Sequence, residues 1–170
     1  MVTPRSRKGY SLMELMLVVA ILGVIVSAAP RMFTGIYRFT RMITAKAEIQ
    51  KNARGTLSNI NRGLRQAQAS SILVDQVSGQ PPHSRITFTR YKTDGSTEVV
   101  SYYQSGKKLY MSTNLAAGKK VCDDLRYIAF TYPKSDDSYI VSISVTFEKA
   151  TYEGAAKALQ MAVEKVRVMN

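Results

Sequence analysis

The sequence predicts an α+β protein in which one long N-terminal helix packs on an antiparallel β-sheet domain. The first half of the helix should span a membrane and the second half should be amphipathic. Three observations predict this arrangement. Residues 15–30 form an apolar run without charge, residues 31–71 lack proline and carry apolar residues at helical spacing, and β-rich segments follow from residue 86 onwards.

The composition argues against several functional classes. The chain has 170 residues and a single cysteine, Cys122, which excludes an intramolecular disulfide and a multi-cysteine zinc site. Its single histidine, His83, argues against a histidine-based metal cage and against a Ser-His-Asp triad. The net charge is +12, and residues 1–70 hold eleven basic but only two acidic residues. The basic character therefore belongs to the N-terminal part of the chain.

The apolar run is long enough to cross a bilayer. Between Tyr10 and Pro30 the only charged residue is Glu14. A transmembrane helix needs about 20 predominantly apolar residues. The alternative is a secretory signal peptide with Ser27-Ala28-Ala29 as its cleavage site. We favour the membrane helix because of the residues that precede the run.

Glu14 is an unusual residue in this setting. An acidic side chain in the middle of a bilayer costs about 2.5–3.5 kcal/mol even on insertion-based scales, and less near the end of a helix. An acid inside a membrane helix is therefore a functional-site hypothesis, and its partner should be identified. The intact chain offers the cations Arg5, Arg7 and Lys8. Cleavage after Gly9 would create a second partner, a free α-amine.

The segment Gly9-Tyr10-Ser11-Leu12-Met13-Glu14, followed by the apolar run, resembles the class III signal of type IV pilins and type II secretion pseudopilins. The resemblance implies that a prepilin peptidase cuts after Gly9 and that Tyr10 is then N-methylated. It also implies that Glu14 serves filament assembly with other pilins or pseudopilins. Tyr10 stands where the family usually has phenylalanine.

The charges around the apolar run bear on its orientation. The leader cations Arg5, Arg7 and Lys8 abut the run and favour a cytoplasmic N-terminus. Arg31, together with two further arginines, lies on the far side and opposes this orientation if charges alone are counted. Because the processing motif also lies at the N-terminal side, we expect a single-pass protein of the bacterial inner membrane with a periplasmic globular domain.

The chain is expected to divide into a leader (1–9), a transmembrane assembly segment (10–30), an amphipathic continuation (31–75) and a β-rich domain (76–170). Pro30 should kink or locally melt the helix, and the helical pattern ends near residue 71. The residues expected on the apolar face are Ile36, Phe39, Ile43, Ala47, Ala53, Leu57, Ile60, Leu64 and Ala67. The basic residues of this helix are expected to form a solvated face or a contact within a filament. A basic stripe alone is a weak signal for nucleic acid, so no nucleic-acid partner is expected.

The β-rich domain should contain several short strands. Asp94-Gly95 predicts a hairpin between the first two. Residues 155–170 fit either a helix or a strand by their pattern, and the family resemblance favours a strand. The segments read as strands are 86–91, 98–104, 108–112, 125–132 and 139–147.

No catalytic constellation is found, so the sequence predicts a protein that is not an enzyme and binds no cofactor. His83 should be an exposed loop residue and Cys122 a buried, inert thiol. The acidic pairs Asp123-Asp124 and Asp136-Asp137 lack the spaced oxygen ligands of a calcium site, so no metal is expected.

Within the family, the chain resembles the J-type minor pseudopilins. The segments that carry this resemblance are Arg62-Gly63-Leu64-Arg65 and the terminal Arg167-Val168-Met169-Asn170. It implies a structural subunit of a type II secretion pseudopilus that supports protein secretion. One alternative is a minor pilin of a type IV pilus or DNA-uptake machine that binds surfaces or DNA. The other is an exported enzyme behind a signal anchor, for which no catalytic residues are found.

Overall fold

A computed structural model describes residues 9–92, 94–134, 139–151 and 157–168 of the chain. The predicted leader charges Arg5, Arg7 and Lys8, the acidic pair at 136–137 and the last two residues lie outside the described residues. The chain divides into two compact units, Met1–Thr40 and Arg41–Asn170. The predicted α+β class is confirmed: one long helix is followed by antiparallel strands, in a pilin-like arrangement.

Helix α1 extends from Leu12 to Arg65. It runs through Pro30 without interruption, so the local melting predicted at this proline does not occur. The helix ends six residues before the predicted position, because the backbone at its C-terminal end pairs with a strand instead. The Gln68 N–H donates to the Thr89 carbonyl over 2.9 Å, and Ala67 forms an isolated antiparallel bridge with Arg90. A short 3-10 turn at Ala69–Ser71 follows.

In the described residues, eight strands form two antiparallel sheets rather than one. The order in the first sheet is β1-β2-β3-β4-β5, and in the second it is β6-β7-β8. The predicted hairpin joins β2 and β3, and Gly95 occupies its turn with φ +80°. Residues 157–167 form a strand, as the family resemblance implied. The strands are β1 Leu73–Asp75, β2 Arg85–Tyr91, β3 Thr97–Ser105, β4 Lys108–Thr113, β5 Lys119–Cys122, β6 Leu125–Thr131, β7 Ile140–Ala150 and β8 Lys157–Arg167.

Within residues 41–170, the C-terminal part of α1 contributes one buried face to the core. The predicted apolar positions from Ala53 to Ala67 are confirmed as buried. The predicted positions Ile43 and Ala47 are wrong, because both are exposed while Ala45 and Ile49 are buried. The phase of the helix explains the difference. Ala45 and Ile49 continue the four-residue steps that lead to Ala53, whereas Ala47 is rotated about 160° from the centre of that face.

The two sheets are joined by a buried amide. Gln104 on β3 is 2% exposed, and its Nε2 donates to the carbonyls of Gly106 and Arg126. Its Oε1 accepts the N–H of Ile128 on β6 over 3.1 Å. The Phe130 N–H also donates to the His83 carbonyl over 3.0 Å. These bonds satisfy buried polar groups at the seam, and both sheets share one hydrophobic core with the helix.

Candidate processing and assembly segment

The predicted cleavage junction lies ahead of the helix. Gly9 and Tyr10 precede α1 and are exposed, with 84% of the Tyr10 surface accessible. The Ser11 carbonyl accepts the first two helical bonds, from the N–H groups of Glu14 and Leu15, over 3.0 and 3.1 Å. The peptide bond between Gly9 and Tyr10 therefore lies outside the hydrogen-bonded helix, where another protein can reach it.

Glu14 occupies the first turn of α1, and its side chain is exposed. The unsatisfied N–H groups at a helix N-terminus carry partial positive charge, which favours a carboxylate in this turn. Among the described residues, Glu14 forms no ion pair. Its proposed intrachain partners, the leader cations, lie outside the described residues. The helix N-terminus therefore favours a carboxylate at this position, but no cation among the described residues pairs with it.

The helix around Glu14 presents large apolar side chains on all sides. An 18-residue window of α1 is apolar enough to cross a membrane, and none of that window is buried within the chain. Large apolar side chains between Leu12 and Phe39 are 49–80% exposed. The Ser27 and Thr34 hydroxyls donate to the Val24 and Arg31 carbonyls over 2.8 and 2.9 Å, so these polar groups are satisfied within the helix. Such a surface is unfavourable in water and requires lipid or protein to cover it.

His83 and Cys122 lie in the environments that the sequence predicts for them. His83 is exposed in a loop, with φ +58°. Cys122 is 7% exposed, and burial raises the pKa of its thiol, which keeps the thiol in its less reactive protonated form. The described residues contain no group of three or more His, Cys, Asp or Glu side chains that could hold a metal ion.

A polar cleft lies along the helix in this unit. It is lined by Ser58, Asn61, Arg62 and Arg65. Asn61 Nδ2 donates to a carboxylate oxygen of Glu164 on β8, while the side-chain carbonyl oxygen of Asn61 is buried and has no partner among the described residues. Both arginines are exposed and form no ion pair among the described residues. The cleft is thus a basic surface feature, and it contains no nucleophile paired with a base.

Comparison with known proteins identifies one similarity. Residues 4–30 match a family model described as the prokaryotic N-terminal methylation motif. Neither the curated proteins nor the solved structures contain a match to the chain. The motif is the class III signal of pilin-type and pseudopilin-type proteins, and it supports a type IV pilin-like protein. With the apolar helix, it indicates a single-pass membrane anchor, processing by prepilin peptidase and assembly with other pilins.

Sequence reasoning located the processing motif and Glu14 but did not single out the surface of β8. Leu159, Met161 and Val163 alternate along this strand and are all more than half exposed. The same residues fit a helix or a strand in the sequence. The alternation could have indicated a strand, but only the order of strands in the sheet shows which strand lies at an edge.

Proposed function

We propose that the chain is a minor pseudopilin of a type II secretion system. It is inserted in the bacterial inner membrane, cut between Gly9 and Tyr10, N-methylated on Tyr10 and assembled into a pseudopilus through α1. The observation that carries this proposal is a single carboxylate, Glu14, in an exposed apolar helix that begins just after an accessible Gly-Tyr peptide bond.

The accessibility of the junction supports its role as a cleavage site. A protease needs its substrate backbone free of regular secondary structure, and residues 9 and 10 satisfy that requirement. A Cβ placed on Gly9 would contact no atom within 4 Å. The described part of the fold therefore does not require glycine at position 9. We assign the need for glycine to recognition by the peptidase.

The isolation of Glu14 supports its role in assembly. Residues 10–30 form the membrane-spanning segment in this proposal, so Glu14 sits in or near an apolar environment before and after assembly. In a filament, the new α-amine of Tyr10 from a neighbouring subunit would be the matching cation. Removing one partner of a buried ion pair costs about 3–5 kcal/mol, because the other charge is left unpaired.

The assignment to secretion rests on the resemblance of residues 62–65 to J-type minor pseudopilins. Close packing explains why this segment has glycine at position 63, because a Cβ there would lie 3.2 Å from the Phe88 ring. We place the globular part, residues 76–170, on the periplasmic side. This orientation follows from the leader cations at the N-terminal side of the membrane segment.

The cleavage step is tested by intact mass and N-terminal sequencing of the protein extracted from membranes. The mature chain should start at N-methylated Tyr10. Gly9→Val should accumulate uncut precursor, because a branched side chain beside the scissile bond obstructs the peptidase. Its control is Gly35→Val, since glycine at position 35 also has no atom within 4 Å of an added Cβ. A mature N-terminus at any other residue contradicts the proposal.

The assembly step is tested with Glu14→Ala and Glu14→Asp. Glu14→Ala should be cut and inserted normally, yet secretion and cross-linking to partner pseudopilins should fall sharply. Glu14→Asp should be intermediate, because the charge is kept with a shorter reach. Ser27→Ala is the matched control, since it removes a polar but uncharged group from the same helix. Normal assembly of Glu14→Ala would contradict the role of this residue.

A second candidate function is a minor pilin that binds DNA, and the cleft with Arg62 and Arg65 is the observation in its favour. Contacts to phosphate should make such binding strongly dependent on salt. Salt-sensitive binding of duplex DNA by the full-length protein, lost in the double variant Arg62→Ala with Arg65→Ala, would favour it over secretion.

A further inference from the structure

Strand β8 is an unpaired edge. All eleven of its residues pair with β7, in a register that runs from Lys157↔Ala150 to Arg167↔Ile140. On its other side, no strand among the described residues pairs with it. An edge strand exposes unpaired backbone N–H and C=O groups that another extended segment can pair with. At this length the free edge extends over roughly 35 Å.

One face of β8 has a distinct pattern. Its three central residues are apolar and exposed: 55% for Leu159, 67% for Met161 and 57% for Val163. The residues on the same face towards its two ends are the exposed cations Lys157, Lys165 and Arg167. On the opposite face, Ala158 and Val166 are buried in the core. The exposed face therefore has an apolar centre and basic ends.

Natural edge strands are usually short, bent or interrupted by inward charges, which prevents unwanted pairing. β8 has eleven residues, and its central exposed residues Leu159, Met161 and Val163 carry no charge that would prevent pairing. Lys157 is held by a salt bridge to Glu148 on β7. Lys165 and Arg167 are exposed and form no ion pair among the described residues.

We propose that the β8 edge is a docking site for an extended segment of a different protein, with apolar residues at alternate positions and acidic residues at its ends. The segment would add to the β6-β7-β8 sheet as a fourth strand. Backbone hydrogen bonds would fix the register, and the apolar side chains would cover residues 159–163. The carboxylates would meet Lys157 at one end of β8 and Lys165 and Arg167 at the other. This docking site goes beyond the proposed function and does not depend on cleavage or on Glu14.

A second copy of the chain does not fit this edge. Two antiparallel β8 strands aligned with Met161 opposite Met161 would place Lys157 opposite Lys165, twice by symmetry. Like charges directly opposite in a sheet are destabilising.

Among its described residues from 41 to 168, a second copy also brings no acid without a partner. Every described carboxylate between residues 41 and 168 already has a partner inside the chain. The partners are Lys149 for Glu48 and Asp124, Arg85 for Asp75, Ser96 for Asp94, Arg90 and Lys92 for Glu98, Lys120 for Asp123, Arg126 and Lys157 for Glu148, and Asn61 for Glu164.

The first test measures peptide binding to the full-length protein in detergent by fluorescence anisotropy. One probe is an 11-residue peptide with alternating Val and Thr in its centre and two Glu at each end. The matched probe has two Lys at each end instead. The Glu peptide should bind about tenfold more tightly or better, because each pair of opposite charges becomes a pair of like charges in the Lys peptide.

Variants assign the binding to β8. The double substitution Lys165→Glu with Arg167→Glu should reverse the preference between the two peptides. Met161→Lys should abolish binding of both, while Ser70→Lys, at an exposed position on the 3-10 turn, should not. Circular dichroism confirms that each variant is folded. Equal binding of both peptides, no binding of either, or an unchanged preference in the double variant would overturn the proposal.

The second test identifies the occupant in cells. A photoreactive amino acid at position 161 is cross-linked in the producing bacterium, and the attached segment is sequenced. A segment of another protein with acidic ends and alternating apolar residues supports the proposal. Attachment to a copy of this chain or to lipid, or the absence of any adduct, overturns it. N-terminal sequencing of the same sample reports separately on cleavage after Gly9.

Discussion

Gly63 lies where α1 packs tightly against the rings of two residues from the sheet, which makes its substitution a quantitative test of the packing. A Cβ at this position would lie 3.2 Å from Phe88 Cζ and 3.3 Å from Tyr102 Oη. Both rings are buried, at 0% and 1% exposure, so neither can move freely. The Tyr102 hydroxyl also donates to Asn59 Oδ1 over 2.8 Å, which fixes its position further.

Gly55 is the matched control in the same helix. It is exposed, and an added Cβ would meet no atom within 4 Å. Replacing glycine by valine changes the intrinsic helix propensity equally at both positions, so the difference between the two variants isolates the packing. Forcing extra methyl groups into a packed core costs about 1–3 kcal/mol.

We therefore expect Gly63→Val to be about 1–3 kcal/mol less stable than Gly55→Val, measured by urea unfolding of a fragment covering residues 41–170. The slope of unfolding free energy against urea should be the same in both variants. Equal stability of the two variants would refute the close approach at residue 63, and with it the structural reason given for glycine in this segment.

Three further predictions concern the same unit. Leu115 has φ +59° and is 91% exposed, so Leu115→Gly should stabilise the fold by about 0.5–1 kcal/mol in urea unfolding, and a loss of stability would contradict the strained turn. Burial raises the pKa of the Cys122 thiol, so maleimide should label the native protein far more slowly than the urea-unfolded protein, and equal rates would contradict this burial. The Lys157 hydrogen bond lowers the pKa of Glu148, so its contribution to stability is complete above the unfolded-state value of about 4.3 and is lost as the pH falls through the lower folded-state value. The unfolding free energy of Glu148→Gln should therefore decrease less between pH 6 and pH 3 than that of the wild type, and identical pH profiles would count against this ion pair.

The sequence was sufficient for those elements whose pattern is long and regular. The apolar run, the apolar positions of α1 after Ala53 and the alternation along β7 each extend over many residues. The helix, its buried face and the strand that they predict are all present. Strands β1 and β5 were missed because they have only three and four residues, too few for an alternation to appear. The division into two sheets was not predictable, because it depends on contacts such as those of Gln104, which joins segments 24 residues apart.

The functional features also differ in how far the sequence predicts them. The motif at Gly9, Tyr10 and Glu14 is local in the chain, so the sequence contains all of it. The docking edge depends on which strand is last in the sheet. That order is a property of long-range pairing, and Leu159, Met161 and Val163 have the same identities whether the strand is central or at an edge.

The contrast between Glu14 and the other described carboxylates connects the fold to the proposed assembly. From residue 41 onwards, each described acid has a hydrogen-bond or ion-pair partner within the chain, including the buried Glu98 and the partly buried Glu148. Glu14 is the one described acid without such a partner. Surface acids can remain unpaired in water at little cost, but Glu14 lies in a helix whose neighbouring side chains require lipid or protein around them. A carboxylate in that environment is stabilised by a nearby cation, and no cation among the described residues pairs with Glu14. In the proposed assembly, the leader would supply this cation before cleavage and a neighbouring subunit would supply it afterwards.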